Sequence, residues 1–189
     1  MAKKTLSPQT ILAPLPSALV SCGGKDGTVN IITLAWMGVV NSDPPMISAS
    51  IRPAPFSHAL IKETGEFVAN IPTADMVEIA DGCGMVSGRD VCKFEHYGLT
   101  AEKGTLEFAP YIVECPLNVE CRVRQIINLG SHDLFLAEVV NILVDEVMIN
   151  ESGRYDPGDL KLLGYSGKYY LAARKIGPRM GFSRKKQGG

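Results

Sequence analysis

The segment between Ser48 and Pro72 constrains the fold of this chain more than any other stretch. It reads SASIRPAPFSHALIKETGEFVANIP, in which strand-forming residues end at Arg52 and two prolines, Pro53 and Pro55, follow. Proline lacks a backbone N–H and fixes its φ angle, so this linker cannot lie inside a helix or a central strand. The pattern therefore predicts a strand, a stiff linker, a short helix and a second strand in close succession.

The predicted helix begins at Ser57 and His58 and stops at Gly65. A serine at the N-cap satisfies one free N–H of the first turn, while the remaining N–H groups and the helix dipole favour an anion. Arg52 precedes this helix and carries a planar fork of donors that suits phosphate. These residues predict a pocket for a small phosphate-bearing ligand. The alternative is an ordinary capped helix beside a solvated arginine.

Length and composition exclude several classes of protein. With 189 residues, 46% hydrophobic and 21% charged, we expect a single domain over residues 1–189, with a basic C-terminal tail and a core over about 12–175. The net charge of −1 and the lack of a central basic stripe argue against a nucleic-acid partner. No stretch reaches the roughly 18 apolar residues of a membrane span. We expect a cytoplasmic protein that does not associate with a membrane.

Cysteine and histidine usage does not indicate a disulfide framework or a metal site. The five cysteines form no C-x-x-C pair, so we expect reduced thiols, most of them in the core. Cys83 lies between two glycines and is the candidate for an accessible thiol. The three histidines, His58, His96 and His132, are too far apart in the sequence to suggest a metal cluster.

Strand-forming stretches recur along the chain at hairpin spacing. The sequence predicts strands over residues 18–22, 29–40, 46–51, 67–71, 113–127 and 134–147, and a second short helix over 73–80. About six strands with two short helices between them predict a mainly β fold, a closed antiparallel barrel with the helices at its mouth. The tail from Gly153, rich in glycine and tyrosine, is too irregular in sequence for a long helix.

Motifs along the chain resemble the flavin reductase-like family of FMN-binding split barrels, and within it the flavoredoxin branch. The resemblance spans about residues 18–170 and rests on Asn30–Trp36, Asp43–Pro45, Ser50–Arg52, Ser57–His58, Gly65–Pro72, Lys93–Phe94 and Gly130–His132. It implies a six-stranded split barrel that forms a homodimer and holds FMN near the subunit interface. It also implies that NADH or NADPH is the reductant.

The resemblance assigns roles to individual residues. The residues implied to bind FMN are Thr33, Leu34, Ala35, Trp36, Ser50, Ile51, Arg52, Ser57, His58, Lys93 and Phe94. Within this set, Arg52, Ser57 and His58 would bind the phosphate, and the strand ending at Trp36 would pass the isoalloxazine ring. His132 would position the reactants or supply a proton, although Ser131 replaces the aspartate that is usual in the family.

The sequence therefore predicts an FMN-dependent NAD(P)H oxidoreductase that passes electrons to a flavin, a ferric chelate or another small acceptor. Two alternatives stay open. One is a flavoredoxin-type electron carrier whose flavin is reduced by a redox protein, and the other is a split barrel that binds no flavin. The sequence shows no nucleophile beside a base and no paired carboxylates, as expected where cofactors carry the reaction.

Overall fold

The computed structural model describes residues 1–177, and the basic tail predicted around Arg184 lies outside the described residues. Strands dominate and the helices are short. In chain order the elements are β1 (Leu15–Pro16), β2 (Ala18–Gly23), β3 (Val29–Leu34), β4 (Met37–Ser42), β5 (Pro45–Ile51), α1 (Phe56–Thr64), β6 (Glu66–Ile71), α2 (Val77–Met85), α3 (Lys93–His96), β7 (Ala101–Glu102), β8 (Tyr111–Ile112), β9 (Leu117–Asn128), β10 (Asp133–Val144), β11 (Leu162–Ser166) and β12 (Tyr169–Ala173), with 3-10 turns at Ala74–Met76 and Glu146–Met148.

Seven strands form one antiparallel sheet in the order β3-β2-β6-β9-β10-β5-β4. The prediction of a mainly β fold is confirmed, whereas the predictions of six strands and of a closed barrel are wrong. The difference arises at Ala35 and Trp36, which divide the single strand predicted over 29–40 into β3 and β4. These two strands lie at opposite edges of the sheet, and no ladder joins them within residues 1–177.

The two-residue link between β3 and β4 shows that the sheet curves strongly. Three residue steps span at most about 11 Å, so the end of one edge strand must lie close to the start of the other. The sheet therefore curls into an open barrel that is split between its two edges. In β5, the N–H of Ser50 donates to the carbonyl of Trp36 at 2.9 Å and holds the link against the barrel.

Apolar side chains fill the inside of the curled sheet. Phe67 and Phe135 are fully buried there, and α1 contributes Leu60 and Ile61 to the same cluster. Gly65 ends α1 in a left-handed conformation with φ of +71°, which confirms the predicted end of this helix. Packing of α1 onto the barrel fixes the position of the linker that precedes it.

A second apolar cluster joins the short helices to the outside of the sheet. Ala80 and Cys83 of α2 and Phe94 of α3 pack against Ile31 of β3 in this cluster. Beyond it, β11 and β12 form a hairpin to which β1 adds a third strand, and these strands were not predicted from the sequence. Within residues 1–177, no helix is both long enough and apolar enough to cross a membrane.

Candidate functional site

A cavity of about 460 Å³ opens at the split of the barrel, which is an ordinary size for a small-ligand pocket. It lies between β3, the linker before α1, α2 and the β11–β12 hairpin. The lining residues that the sequence analysis selects are Thr33, Leu34, Ala35, Trp36, Ser50, Arg52 and His132. Lining residues that it misses include Ser17, Asp81, Met85, Tyr165, Lys168 and Tyr170.

A larger cavity, of about 730 Å³, lies between residues 150–162 and 173–177. None of the residues selected from the sequence lines it, and it reaches Gly177, the last described residue. The cavity at the split is therefore the candidate functional site.

The edge strand β3 has backbone groups that face away from its neighbour β2, and Thr33 of this strand lines the cavity. The Nζ of Lys93 donates to the carbonyl of Ile31 at 2.7 Å, so this carbonyl points away from the neighbouring strand β2. Backbone groups alternate in direction along an antiparallel strand, so the N–H and C=O of Thr33 point the same way. A flat heterocycle with donors and acceptors along one edge can hydrogen-bond to such a strand as a further strand would.

One end of the cavity is cationic. Arg52 and Pro55 line it where β5 leads into α1. The helix begins at Phe56 with Pro55 as its N-cap residue, so the prediction that Ser57 caps the helix is wrong. The first N–H groups of a helix have no partner within the helix, and together with a nearby arginine they favour an anion.

Arg89 is a second cation near this end, and the sequence analysis misses it. Its guanidinium lies 5.2 Å from the centroid of the Phe56 ring, and its Nη1 donates to the carbonyl of Ala54 at 3.4 Å. Arg89 belongs to a loop between α2 and α3 that has no periodicity, so no sequence pattern could place it beside the start of α1.

Ser57 and His58 do not line the cavity, because both side chains are buried and bonded within the protein. The Nδ2 of Asn30 donates to the Oγ of Ser57 at 2.9 Å, and the Nε2 of His58 lies 2.8 Å from the Oδ2 of Asp133. Hydrogen bonds from His58 and then from Asn128 hold the pKa of the Asp133 carboxyl below its usual value. These two side chains hold α1 in place, and Arg52 is the residue of the three implied for phosphate that lines the cavity.

Lys93, Phe94 and Ile51 also lie outside the cavity wall, in contrast to the roles implied for them. Lys93 is buried, and besides Ile31 its Nζ donates to the carbonyl of Cys83 at 2.6 Å. Burial lowers the pKa of Lys93. The ammonium thus joins β3 to the end of α2. Phe94 and Ile51 belong to the two apolar clusters.

Cys83 is 1% exposed, so the prediction of an accessible thiol is wrong. Packing of α2 against β3 buries the sulfur, and this burial raises the pKa of the thiol to about 11. Among residues 1–177, no group of three or more His, Cys, Asp or Glu side chains is arranged to hold a metal ion.

Trp36 and His132 form an aromatic wall of the cavity. Their ring centroids lie 4.7 Å apart with the planes 27° from parallel, so the two rings are stacked. The Oγ of Ser131, the residue that departs from the family pattern, lies 2.9 Å from the Nδ1 of His132. This contact orients the imidazole and leaves its Nε2 as the nitrogen available to a ligand.

The β11–β12 hairpin supplies the opposite wall. Tyr165 and Tyr170 pack edge to face with centroids 5.8 Å apart, and Lys168 lines the cavity from the turn between the strands. The hydroxyl of Tyr170 donates to the Oδ1 of Asp81 at 3.2 Å. Burial and then the Asp81 charge raise the pKa of Tyr170 to about 12, so this phenol stays protonated at neutral pH.

Together, fold and cavity define a mainly β protein with an open barrel and a pocket that combines an edge strand, aromatic walls and an arginine. A family model described as the flavin reductase like domain matches residues 12–170. The match covers most of the chain, and the protein therefore belongs to the flavin reductase-like domain family.

Solved structures agree with this assignment. Flavoredoxin of Desulfovibrio vulgaris (Miyazaki F) is similar, with a TM-score of 0.88 and 31% identity, over 95% of this chain and 98% of that one. Flavoredoxin from Methanosarcina acetivorans has a TM-score of 0.85 and 28% identity, over 98% and 100% of the two chains. An FMN-binding protein from Thermus thermophilus, solved with bound 1-cyclohex-2-enone, has a TM-score of 0.77 and 25% identity, over 94% and 98%. The resemblance to flavoredoxins and flavin reductases is thus confirmed.

Proposed function

We propose that this protein binds FMN in the cavity at the split and acts as an oxidoreductase. It takes electrons from NADH or NADPH and passes them to a flavin, a ferric chelate or another small acceptor. The observation that carries the proposal is one cavity that combines the outward backbone of Thr33 with the cation of Arg52. Family membership and the likeness to an FMN-binding protein support it.

The chain would hold the two ends of FMN by different means. The Thr33 backbone suits the polar edge of the ring, whereas Arg52, Arg89 and the start of α1 suit the phosphate. Trp36 and the hairpin tyrosines supply apolar surface on which a flat ring can pack. When bound, FMN supplies the hydride and electron chemistry that no side chain here provides.

His132 is the residue in this wall best suited to handle a proton. Its Nδ1 is engaged by Ser131, so Nε2 is the atom that would hold or release a proton at the ligand. Tyr170 is less suited to this role, because its hydroxyl already donates to Asp81 and its raised pKa makes the phenol a weaker acid. Stacking on Trp36 restricts the imidazole to one orientation.

The proposal includes a homodimer with the cavity near the interface. β4 is an edge strand whose Val39 and Val40 are 83% and 51% exposed, and Ile142 on β10 is 55% exposed. Apolar groups on an open strand edge favour pairing with another chain. β4 follows Trp36 directly, so a second copy on this edge would lie beside the cavity wall.

A second candidate is an electron carrier whose FMN is reduced by a redox protein. The similarity to two flavoredoxins favours it. The cavity wall also offers a surface through which electrons could pass to a protein partner. Met85 and Trp36 both line the cavity and are 79% and 38% exposed.

Visible absorbance distinguishes the three alternatives. The purified chain is mixed with FMN, desalted, and then treated with NADH or NADPH under anaerobic conditions. Retained flavin bands that bleach with either nicotinamide support the oxidoreductase. Retained bands that do not bleach overturn it and favour the carrier. Loss of all flavin on desalting, with no saturable binding at equilibrium, overturns both and favours the barrel without flavin.

A further inference from the structure

Ser17 lies where the chain passes from the small sheet into the large one. Its N–H donates to the carbonyl of Leu163 in β11 at 3.2 Å. The next residue, Ala18, begins β2 and pairs with Leu34 of β3. The backbone of Ser17 is therefore fixed between the two sheets, where the residue forms part of the cavity wall.

The hydroxyl of Ser17 has no hydrogen-bond partner. The residue is 1% exposed, yet its Oγ is one of only two buried side-chain polar atoms in residues 1–177 that are left without a partner. The other, the Oδ1 of Asn30, does not line the cavity. Buried hydroxyls are normally bonded, so an unpaired one on a residue that lines a ligand cavity points to a group on the ligand.

A second buried serine, in the strand that follows, shows what a satisfied hydroxyl looks like. Ser21 of β2 is fully buried, its Oγ donates to the carbonyl of Pro110, and it accepts from the Nδ2 of Asn70 at 2.9 Å. Ser21 does not line the cavity. The two serines therefore differ in two respects that matter here: only Ser17 lines the cavity, and only its hydroxyl lacks a partner inside the protein.

We propose that the Ser17 hydroxyl hydrogen-bonds the ring system of the flavin, a role that rests on the proposed FMN site. Ser17 lies beside β3 and β11, whereas the cationic end of the cavity is formed where β5 leads into α1. The hydroxyl therefore belongs to the part of the wall that takes the ring and not the phosphate. A hydroxyl both donates and accepts, which matches a ring edge that carries N–H and C=O groups.

The test compares Ser17→Ala with the matched control Ser21→Ala in two measurements: affinity for FMN and for riboflavin by equilibrium titration, and thermal unfolding of the flavin-free protein. We expect Ser17→Ala to weaken the binding of FMN and of riboflavin by the same factor, about 5- to 100-fold, because the lost hydrogen bond is to the ring that both flavins share. Unfolding of the flavin-free variant should be unchanged or shift to higher temperature, since an unpaired buried hydroxyl is removed. Ser21→Ala should show the reverse, with lower stability and unchanged affinity of the folded protein.

Three results would overturn the role of Ser17 while leaving the FMN site intact. These are unchanged affinity in Ser17→Ala, a loss of affinity for FMN alone, and a loss of affinity that is matched by destabilisation of the flavin-free protein. Failure of the wild-type chain to bind either flavin would instead overturn the proposed FMN site itself.

Discussion

The Nε2 of His58 lies 2.8 Å from the Oδ2 of Asp133, and both side chains are buried. The two residues are 75 positions apart, on α1 and at the start of β10, so this contact ties the helix beside the cavity to the barrel. The second carboxyl oxygen of Asp133 accepts from Asn128 at 2.7 Å. His58, which the family resemblance implied for phosphate binding, is instead bonded to Asp133 and positions the helix that follows Arg52.

This contact predicts a pH dependence of stability. The pKa of Asp133 is lower in the folded protein than its ordinary 3.8, so the carboxylate stabilises the fold fully above that value. The contribution is lost as the pH falls through the lower, folded-state pKa. We expect the wild-type chain to exceed Asp133→Asn in free energy of unfolding at pH 5, and the difference to shrink as the pH falls below about 4. Urea unfolding at a series of pH values measures it, and a difference that does not shrink in acid would contradict the contact.

Lys93 is expected to act on stability and not on flavin binding. Lys93→Met removes the donor shared by the carbonyls of Ile31 and Cys83 and should lower the free energy of unfolding by about 1–3 kcal/mol. Affinity of the folded variant for FMN should stay within about twofold, because Lys93 does not line the cavity. Lys25→Met, at an exposed turn, is the control. A large loss of FMN affinity with normal stability would show that Lys93 contacts the cofactor after all.

Arg52 is expected to discriminate between FMN and riboflavin. Arg52→Ala removes a charge-assisted bond to the phosphate, worth roughly 1.5–3 kcal/mol, so FMN affinity should fall about tenfold to over a hundredfold. Riboflavin affinity should change little, because riboflavin has no phosphate. Arg122→Ala, which removes a half-exposed arginine paired with Glu66, provides the comparison. Equal losses for the two flavins would place the phosphate elsewhere.

The exposed edge strand predicts the oligomeric state. If β4 forms the dimer contact, Val39→Glu places a charge in an apolar interface and should weaken dimerisation roughly tenfold or more. Val147→Glu, at another exposed valine (68%), should leave it unchanged. Sedimentation equilibrium measures both. A wild-type chain that stays monomeric at all concentrations would contradict the proposed homodimer.

Local patterns in the sequence were enough to predict the hairpin β2–β3, the proline-containing linker before α1 and the end of that helix at Gly65. They failed where distant parts of the chain decide the outcome. The break at Ala35 and Trp36 follows from the curvature of the whole sheet, since the apolar run itself continues into β4. Likewise, the partners of Ser57 and His58 are remote in sequence, so no spacing rule could show that these side chains are occupied.

Only part of the cavity could be predicted, because its lining residues come from distant parts of the chain. Thr33 and Arg52 could be selected because each belongs to a motif of residues that are adjacent in the sequence. Ser17 and Tyr170 come from segments that meet only when β1 joins the C-terminal hairpin. A lone serine before a strand and a tyrosine among glycines carry no signal of a binding site until the two sheets are brought together.

The most direct test of the central claim, that FMN binds in the cavity at the split, is the fluorescence of Trp36 during titration with FMN. Trp36 is the single tryptophan of the chain and it lines this cavity, so its emission reports on the site without a label. We expect saturable and nearly complete quenching at one FMN per chain, with weaker affinity in Arg52→Ala. Emission that does not saturate, or that quenches equally well in Arg52→Ala, would contradict FMN binding at this site.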